Sequence, residues 1–309
     1  MEDYPYTLLD MEERYSSDED CRDYLATLRW PEGFICPGCD GRNSWRMRRG
    51  LYLCRNCRRQ TSVTAGTIFQ DSRLPLRLWF RAIWYVTSQK NGVSALGLQR
   101  VLGFGSYQTA WAWLQKLRRA MLRPGRDRLT GQVEVDETYW GAEEEGVIGR
   151  QIRDKAIIIV AAQADGRGIG RIRMRRIPDL KKASLHGFIR DVVDPGAIVV
   201  TDGLPAYQNL DGYVHKPIVV RKQSKEADEL LPRVHRILSL VKRWLMGTHQ
   251  GAVQHDHLDY YLDEFIFRFN RRKSVSRGKL FYRLVQQAVQ TSPHPYKGLV
   301  HPKGLGEVE

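Results

Sequence analysis

The chain has 309 residues, 42% apolar and 10% aromatic, which is the composition of a folded protein with a full-sized core and not of a disordered one. No apolar run approaches the ~20 residues of a membrane span, and the acidic N-terminus lacks an apolar signal segment, so neither an integral-membrane nor an exported protein is expected. The formal charge is +14, and setting aside the first 20 residues (net −7) leaves +21 on the rest. Such a basic body fits either a polyanionic partner, above all nucleic acid, or a plain solvated surface.

Residues 1–30 read as an N-terminal helical segment, with Ser17 or Asp18 as a cap and Tyr24, Leu25 and Leu28 as an apolar stripe. Residues 31–62 contain Cys36-Pro-Gly-Cys39 and Cys54-Arg-Asn-Cys57, with 14 residues between the pairs. Two C-x2-C turns at this spacing predict a zinc ribbon. Four thiolates leave no open coordination position, so the zinc is structural. The competing reading, two disulfides, requires an oxidising compartment. Cys21 is left over and reads as a small, half-buried residue. Arg42, Arg46, Arg48, Arg49, Arg55, Arg58 and Arg59 surround the Cys pairs, and no acidic residue occurs from 41 to 60. Trp45 and Tyr52 interleave with them, either to face nucleic acid or to fill the small ribbon core.

Residues 63–128 read as a helical connector. Leu76, Trp79, Phe80, Ile83, Trp84 and Val86 recur at helical spacing, and a second helix follows Ser94. A third, TAWAWLQKLRRAM, starts near Ser106 or Thr109 and ends on Arg118 and Arg119. Helix, short turn and basic helix fit either a helix-turn-helix or a simple connector.

From residue 129 to 285 the pattern is that of an α/β domain, followed by a tail over 286–309. VEVDETYW (133–140) alternates, AIIIVAAQA (156–164) is a buried apolar run, and IGRIRMRRI (169–177) alternates apolar residues with Arg171, Arg173 and Arg175, with Arg176 following. A helix (180–193), the strand AIVVTDG (197–203), a further strand (215–220), a long helix (230–246) and a last helix (256–270) complete it. That order predicts a mixed sheet flanked by helices, as in ribonuclease H.

Two carboxylates stand out. Asp136 lies within a half-buried strand, where a charge is costly unless paired or metal-bound. Asp202 ends the apolar strand AIVVTD, the strand end at which α/β sheets collect ligand groups, although Asp202-Gly203 also reads as a turn. Adjacent strands would bring the two together to hold Mg²⁺ or Mn²⁺ for phosphoryl transfer.

Several segments together resemble bacterial insertion-sequence transposases with an N-terminal zinc ribbon and an ISXO-like DDE domain, insertion-sequence family number 1595. They are RWPEGFICPGC (29–39), the second Cys pair, TSVTAGTIFQDSRLPLRLWFRAIW (61–84), TAWAWLQKLRRAM (109–121), VEVDETYWGA (133–142), VVTDGLPAY (199–207), LVKRWLMGTHQG (240–251) and YLDEFIFRFNRR (261–272). The resemblance implies a ribonuclease H-like, divalent-metal-dependent enzyme that cuts DNA at the element's terminal inverted repeats and joins the ends to target DNA. It also implies a homo-oligomeric synaptic complex and a cytoplasmic, nucleoid-associated protein of a prokaryotic cell. The family's first two ligands match Asp136 and Asp202. Where many relatives carry Glu or Asn as the third ligand, alignment on LVKRW places His235, with Lys242 seven residues on and on the same helix face. Asp228 and Glu229 are rivals for that position. His is a softer donor than a carboxylate and suits Mn²⁺ at least as well as Mg²⁺. Lys242, Arg243, Arg271, Arg272, Arg118 and Arg119 are the candidate DNA contacts. Two other readings stay open here: a domesticated, inactive zinc-ribbon DNA-binding protein, and a structure-selective nuclease on the same fold.

Overall fold

The computed structural model describes residues 2–123, 125–141, 155–218 and 230–301. The chain divides into two compact units, Met1–Arg123 with Lys273–Glu309, and Pro124–Arg272. Among the described residues no helix is long and apolar enough to cross a membrane.

The first unit opens with two helices, α1 (Leu8–Arg14) and α2 (Asp18–Arg29). Ser17 is the cap of α2, and it forms a capping box with Asp20 that satisfies two of the free N–H groups. A three-stranded antiparallel ribbon follows, with β1 (Ser44–Arg46), β2 (Leu51–Cys54) and β3 (Gln60–Ser62). Its hydrophobic support is Tyr52, whose ring lies 4.9 Å from Trp30 and 5.3 Å from Phe34. Next come α3 (Leu76–Ser88), α4 (Ala95–Leu102) and α5 (Tyr107–Met121). Gly103 ends α4 in the left-handed region at φ 68, which frees the chain to turn into Ser106, the cap of α5. Trp79 of α3 stacks on Trp113 of α5 at 3.6 Å.

The sequence pattern ends its last helix near residue 270, but two more follow, α9 (Arg277–Ala288) and α10 (Tyr296–Val300). Ser276 is the cap of α9. Phe281 carries α9 into the N-terminal helices, with its ring 5.5 Å from Phe80 and 6.1 Å from Tyr15. These partners lie more than 200 residues from Phe281 in the sequence, so periodicity alone does not join them.

The second unit is a five-stranded sheet of β4 (Gln132–Trp140), β5 (Ala156–Asp165), β6 (Gly168–Ile177), β7 (Ile198–Asp202) and β8 (Val214–Ile218). Its order is β6-β5-β4-β7-β8; β4, β5 and β6 are antiparallel neighbours, and β4–β7 and β7–β8 are parallel. Three antiparallel strands continued by two parallel ones make the ribonuclease H-like mixed sheet. α6 (Lys182–Val192) covers one face, where Leu185, Phe188 and Ile189 pack on Val133, Val135, Ile157 and Ile159. α7 (Pro232–His249) lies against β4 and β5 on the other, with Val234, Ile237, Leu238, Val241 and Leu245 buried, and α8 (Leu258–Asn270) packs on β6. Burial of an apolar stripe of this kind is the main force holding a helix to a sheet.

Candidate active site

The site forms where two parallel strands part. β4 and β7 pair through Gln132↔Ile198, Val133↔Val199 and Glu134↔Val200, and there the pairing ends. Asp136 and Asp202 each lie two residues beyond the last pair. This is the topological switch point, because the chain leaves β4 toward β5 on one side and leaves β7 toward β8 on the other. Asp202 also serves the turn that follows, because its Oδ1 accepts from Leu204 N at 3.1 Å.

Asp136, Glu137 and Asp202 each offer a carboxylate oxygen, and the three lie within 4.8 Å of one another. Burial pushes the Asp136 carboxyl above the ordinary value of 3.8; the Glu137 N–H and His235 pull it down, and the charge of Asp202 pushes it up again. Crowded, half-buried carboxylates of this kind suit a hard divalent cation, which relieves both the repulsion and the desolvation. His235, at the start of α7, reaches the same place, with its Nε2 3.2 Å from Asp136 Oδ2. Lys242 and Arg243 lie further along α7 and are exposed. Asp228 and Glu229 lie outside the described residues. His249 packs against Trp244 and Tyr261, away from any described ligand cluster.

Four neighbours of the site are not singled out by the sequence. Glu137 follows Asp136 directly, where strand alternation alone assigns it to the opposite face, yet its carboxylate reaches the Asp136–Asp202 pair, and its Oε2 accepts from the hydroxyl of buried Tyr207 at 2.8 Å. Glu134 lies two residues before Asp136 on the same strand face, and it holds Arg233 of α7 through Oε1 at 2.6 Å. The one available signal was a second carboxylate at strand period within VEVDETY.

The ribbon cysteines come together as a second cluster. Cys36 Sγ lies 3.5 Å from Cys57 Sγ, and Cys39 Sγ lies 3.6 Å from Cys54 Sγ. Thiolates bound to zinc at about 2.3 Å stand about 3.8 Å apart in a tetrahedron, so the donor set fits zinc. Cys21 is fully buried, more so than its sequence position suggests.

The basic candidates divide by exposure. Trp45 does not fill the ribbon core; it is 47% exposed, with the Arg55 and Arg58 guanidinium groups 5.1 and 5.3 Å from its ring. Arg118 is only 1% exposed and bonds Gln115 Oε1 at 3.3 Å, so it faces the interior of its unit. Arg119 is half-buried. Arg271 and Arg272 lie over the rings of Phe267 and Phe269, and Arg272 also donates to the carbonyls of Ile169 and Gly170.

A ribonuclease H-like sheet with acidic groups gathered at one strand end, in a chain that also carries a four-cysteine ribbon, defines the class: a ribonuclease H-fold protein with an acidic site and a zinc-ribbon module. The particular family follows from sequence. The ISXO2-like transposase domain matches residues 128–270 and the transposase zinc-ribbon domain matches residues 16–60. The chain is also 28% identical over 281 residues, 82% of its length and 91% of the relative's, to an uncharacterized protein in transposable element ISH50 of Halobacterium salinarum. The chain belongs to the insertion-sequence transposases that join this zinc ribbon to an ISXO2-like DDE domain. Among solved structures, the catalytic core domain of BIV integrase overlaps 48% of this chain and 89% of that one, at 17% identity and a TM-score of 0.31. A simian T-cell lymphotropic virus intasome in complex with PP2A regulatory subunit B56 gamma overlaps 74% and 77%, at 12% identity and a TM-score of 0.32. Overlaps that loose carry no weight beside the sequence matches.

Proposed function

We propose that this transposase cuts DNA at the terminal inverted repeats of its element and joins the freed ends to target DNA, using Asp136, Asp202 and His235 as the active-site triad. The observations that carry this reading are the gathering of Asp136 and Asp202, with Glu137, at the open end of β4 and β7 and the approach of His235 Nε2 to Asp136 Oδ2 at 3.2 Å. In the first step water attacks a phosphodiester at the element's end, and the bond to the 3′ oxygen breaks, leaving a free 3′-hydroxyl. In the second, that hydroxyl attacks a phosphodiester of the target and expels a target 3′-hydroxyl. Both are in-line displacements at one site and need no covalent enzyme intermediate. Mg²⁺ or Mn²⁺ held by Asp136 and Asp202 would promote deprotonation of the attacking oxygen and offset charge on the leaving one. His235 completes the donor set and lowers its negative charge by one relative to a third carboxylate. Tyr207 fixes Glu137 beside the pair, which makes Glu137 the reserve ligand.

The ribbon takes structural Zn²⁺, and its exposed arginines contact DNA phosphate. Lys242 and Arg243 do the same next to the active site. Capture of two element ends calls for a homo-oligomer, and the work on DNA places the protein in the cytoplasm with the nucleoid. The test is excision from a plasmid that carries the gene's own flanking DNA, at matched protein levels. Wild type excises, and Asp136→Asn, Asp202→Asn and His235→Ala each fall by about 10² or more. Retained activity in His235→Ala removes His235 from the triad and makes Glu137 the next candidate. A wild-type protein that binds the ends but never cuts them would be the inactive DNA-binding protein instead.

A further inference from the structure

We propose that Glu134 and Arg233 form a latch that sets the register of α7 on β4 and so places His235 against Asp136. The proposal rests on the assignment of His235 to the active site.

α7 starts without a side-chain cap of its own: Leu231 occupies the cap position and Pro232 the first helical one. The missing cap comes from the sheet. Glu134 Oε2 accepts from the backbone N–H of Arg233 at 2.8 Å and of Val234 at 3.0 Å. These are the N2 and N3 positions, the donors that a conventional cap would satisfy, and a carboxylate there also meets the positive end of the helix dipole. Glu134 Oε1 takes a third bond, from Arg233 Nη1 at 2.6 Å. The rest of the Arg233 fork is fixed as well: Nε donates to Gly168 O at the start of β6 at 3.0 Å, and Nη2 to Gly166 O in the β5–β6 turn at 2.9 Å. Glu134 is 2% exposed.

A buried ion pair is a poor device for stability, because desolvation offsets most of the attraction, and its best-attested use is to specify register. Register is what this helix lacks. The apolar stripe of α7 is non-directional and tolerates sliding over the sheet. Glu134 and Asp136 project from the same face of β4, two residues apart. Arg233 with Val234, and then His235, meet them in the same order on α7. The latch is therefore one rung of a two-rung ladder, and the His235–Asp136 contact at 3.2 Å is the other. A helix turns 100° per residue, so a shift of even a fraction of one residue takes the imidazole away from Asp136. Glu134 and Arg233 are positioning residues that act through His235.

The test is a double-mutant cycle on the full-length protein. Glu134→Gln keeps the shape and an acceptor for the helix N–H groups but loses the charge, and Arg233→Lys keeps the charge but loses the fork. Each is made alone and with His235→Ala. Two quantities are read: Mn²⁺ affinity by calorimetry without DNA, and cleavage of end DNA. Thermal unfolding checks that the variants fold. Outer-shell partners of metal ligands typically change affinity by about 10–100-fold, and a loss of about tenfold is expected for either latch variant. In the His235→Ala background the same substitutions are expected to cost nothing further. Losses that multiply, or a Glu134→Gln protein with wild-type Mn²⁺ affinity while His235→Ala is impaired, would overturn the latch and leave the triad standing. If His235→Ala itself has wild-type affinity and cleavage, the triad assignment falls and the latch falls with it. Should Glu134→Gln not fold, the Arg233→Lys cycle decides by the same criteria.

Discussion

Two arginine-rich regions of this chain look alike in sequence and differ in what holds their charge. On β6, Arg171 pairs with Asp127 at 3.0 Å, Arg175 with Asp191 at 2.8 Å, and Arg176 with Asp259 at 3.3 Å. Arg173 is buried and spends its guanidinium on the carbonyls of Ile172 and Asp127; burial pulls it down to about 10. In the ribbon, Arg46 is paired with Glu19 and Asp23, and Arg42 approaches Glu32 at 3.8 Å. Among the described residues Arg48, Arg49, Arg55, Arg58 and Arg59 are exposed and form no ion pair. A run of arginines in the sequence does not by itself mark a DNA surface; the acids that fold against it decide. The β6 arginines pair with acids of their own unit, whereas the ribbon arginines proposed to contact DNA are not answered by acids among the described residues.

The hardest test of this contrast removes the ribbon's scaffold. Structural zinc contributes roughly 10–16 kcal/mol to the folding of isolated zinc-finger peptides, and a ribbon with so small a core is expected to depend on it in the same way. Cys36→Ser is expected to abolish zinc content, measured by metal analysis, and to lower affinity for end DNA by about 10² or more. The Pro124–Arg272 unit should keep its thermal transition. Loss of zinc with unchanged DNA affinity would mean that the ribbon arginines face another partner.

A finer cut compares the two regions directly. Arg55→Gln with Arg58→Gln is expected to lower DNA affinity roughly tenfold and to reduce the salt slope by about 2, as two lost phosphate contacts require. Arg171→Gln with Arg175→Gln removes the same formal charge and is expected to leave the slope unchanged, at a cost of about 1 kcal/mol or less per exposed pair in stability. Equal slopes for the two double variants would remove the distinction. Trp45→Ala tests the ring beneath Arg55 and Arg58, and it should weaken binding less than loss of the arginines themselves.

These contrasts also mark what the sequence discloses. The Cys spacing, the apolar runs of β5 and β7, and the placement of Asp136 and Asp202 are local patterns, and local patterns survive in one dimension. The groups that complete the site are joined only by folding. Glu134 and Arg233 lie 99 residues apart, and Glu137 and Tyr207 lie 70 apart. Arg171 and Asp127 read as a basic strand and a linker residue until the sheet brings them together. Nor does helical spacing show that Arg118 faces inward: it sits among Leu114, Leu117 and Met121, where its long apolar stem is buried with them.

The smallest expected effect separates the regions by pH. The first histidine of the chain is His186, so the ribbon contains none, whereas His186 and His215 both lie in the Pro124–Arg272 unit. Burial lowers both below the ordinary value of 6.5; for His186, Lys182 and Arg190 add to the effect, and Ala206 O and Asp211 oppose it. His186 Nε2 lies 3.1 Å from Ala206 O, in the turn that follows Asp202, and His215 Nε2 lies 2.9 Å from Thr201 Oγ1. The sign follows from linkage. Above pH 6.5 both rings are neutral in the folded and unfolded chain, and their stabilising contacts are fully present. As pH falls below 6.5 the unfolded chain takes up protons that the folded one refuses, and stability is lost down to the lower folded pKa values. Asp136 and Asp259, both raised by burial, act in the opposite sense, so the informative quantity is a difference between variants and not an absolute slope. His186→Gln keeps an N–H for Ala206 O and removes the titration. Its melting temperature, followed without divalent metal, is expected to fall less than that of wild type between pH 7.5 and 6. DNA affinity of the ribbon surface, carried by arginine, should not change over the same interval. Identical pH profiles for wild type and His186→Gln would show that His186 does not titrate differently in the fold.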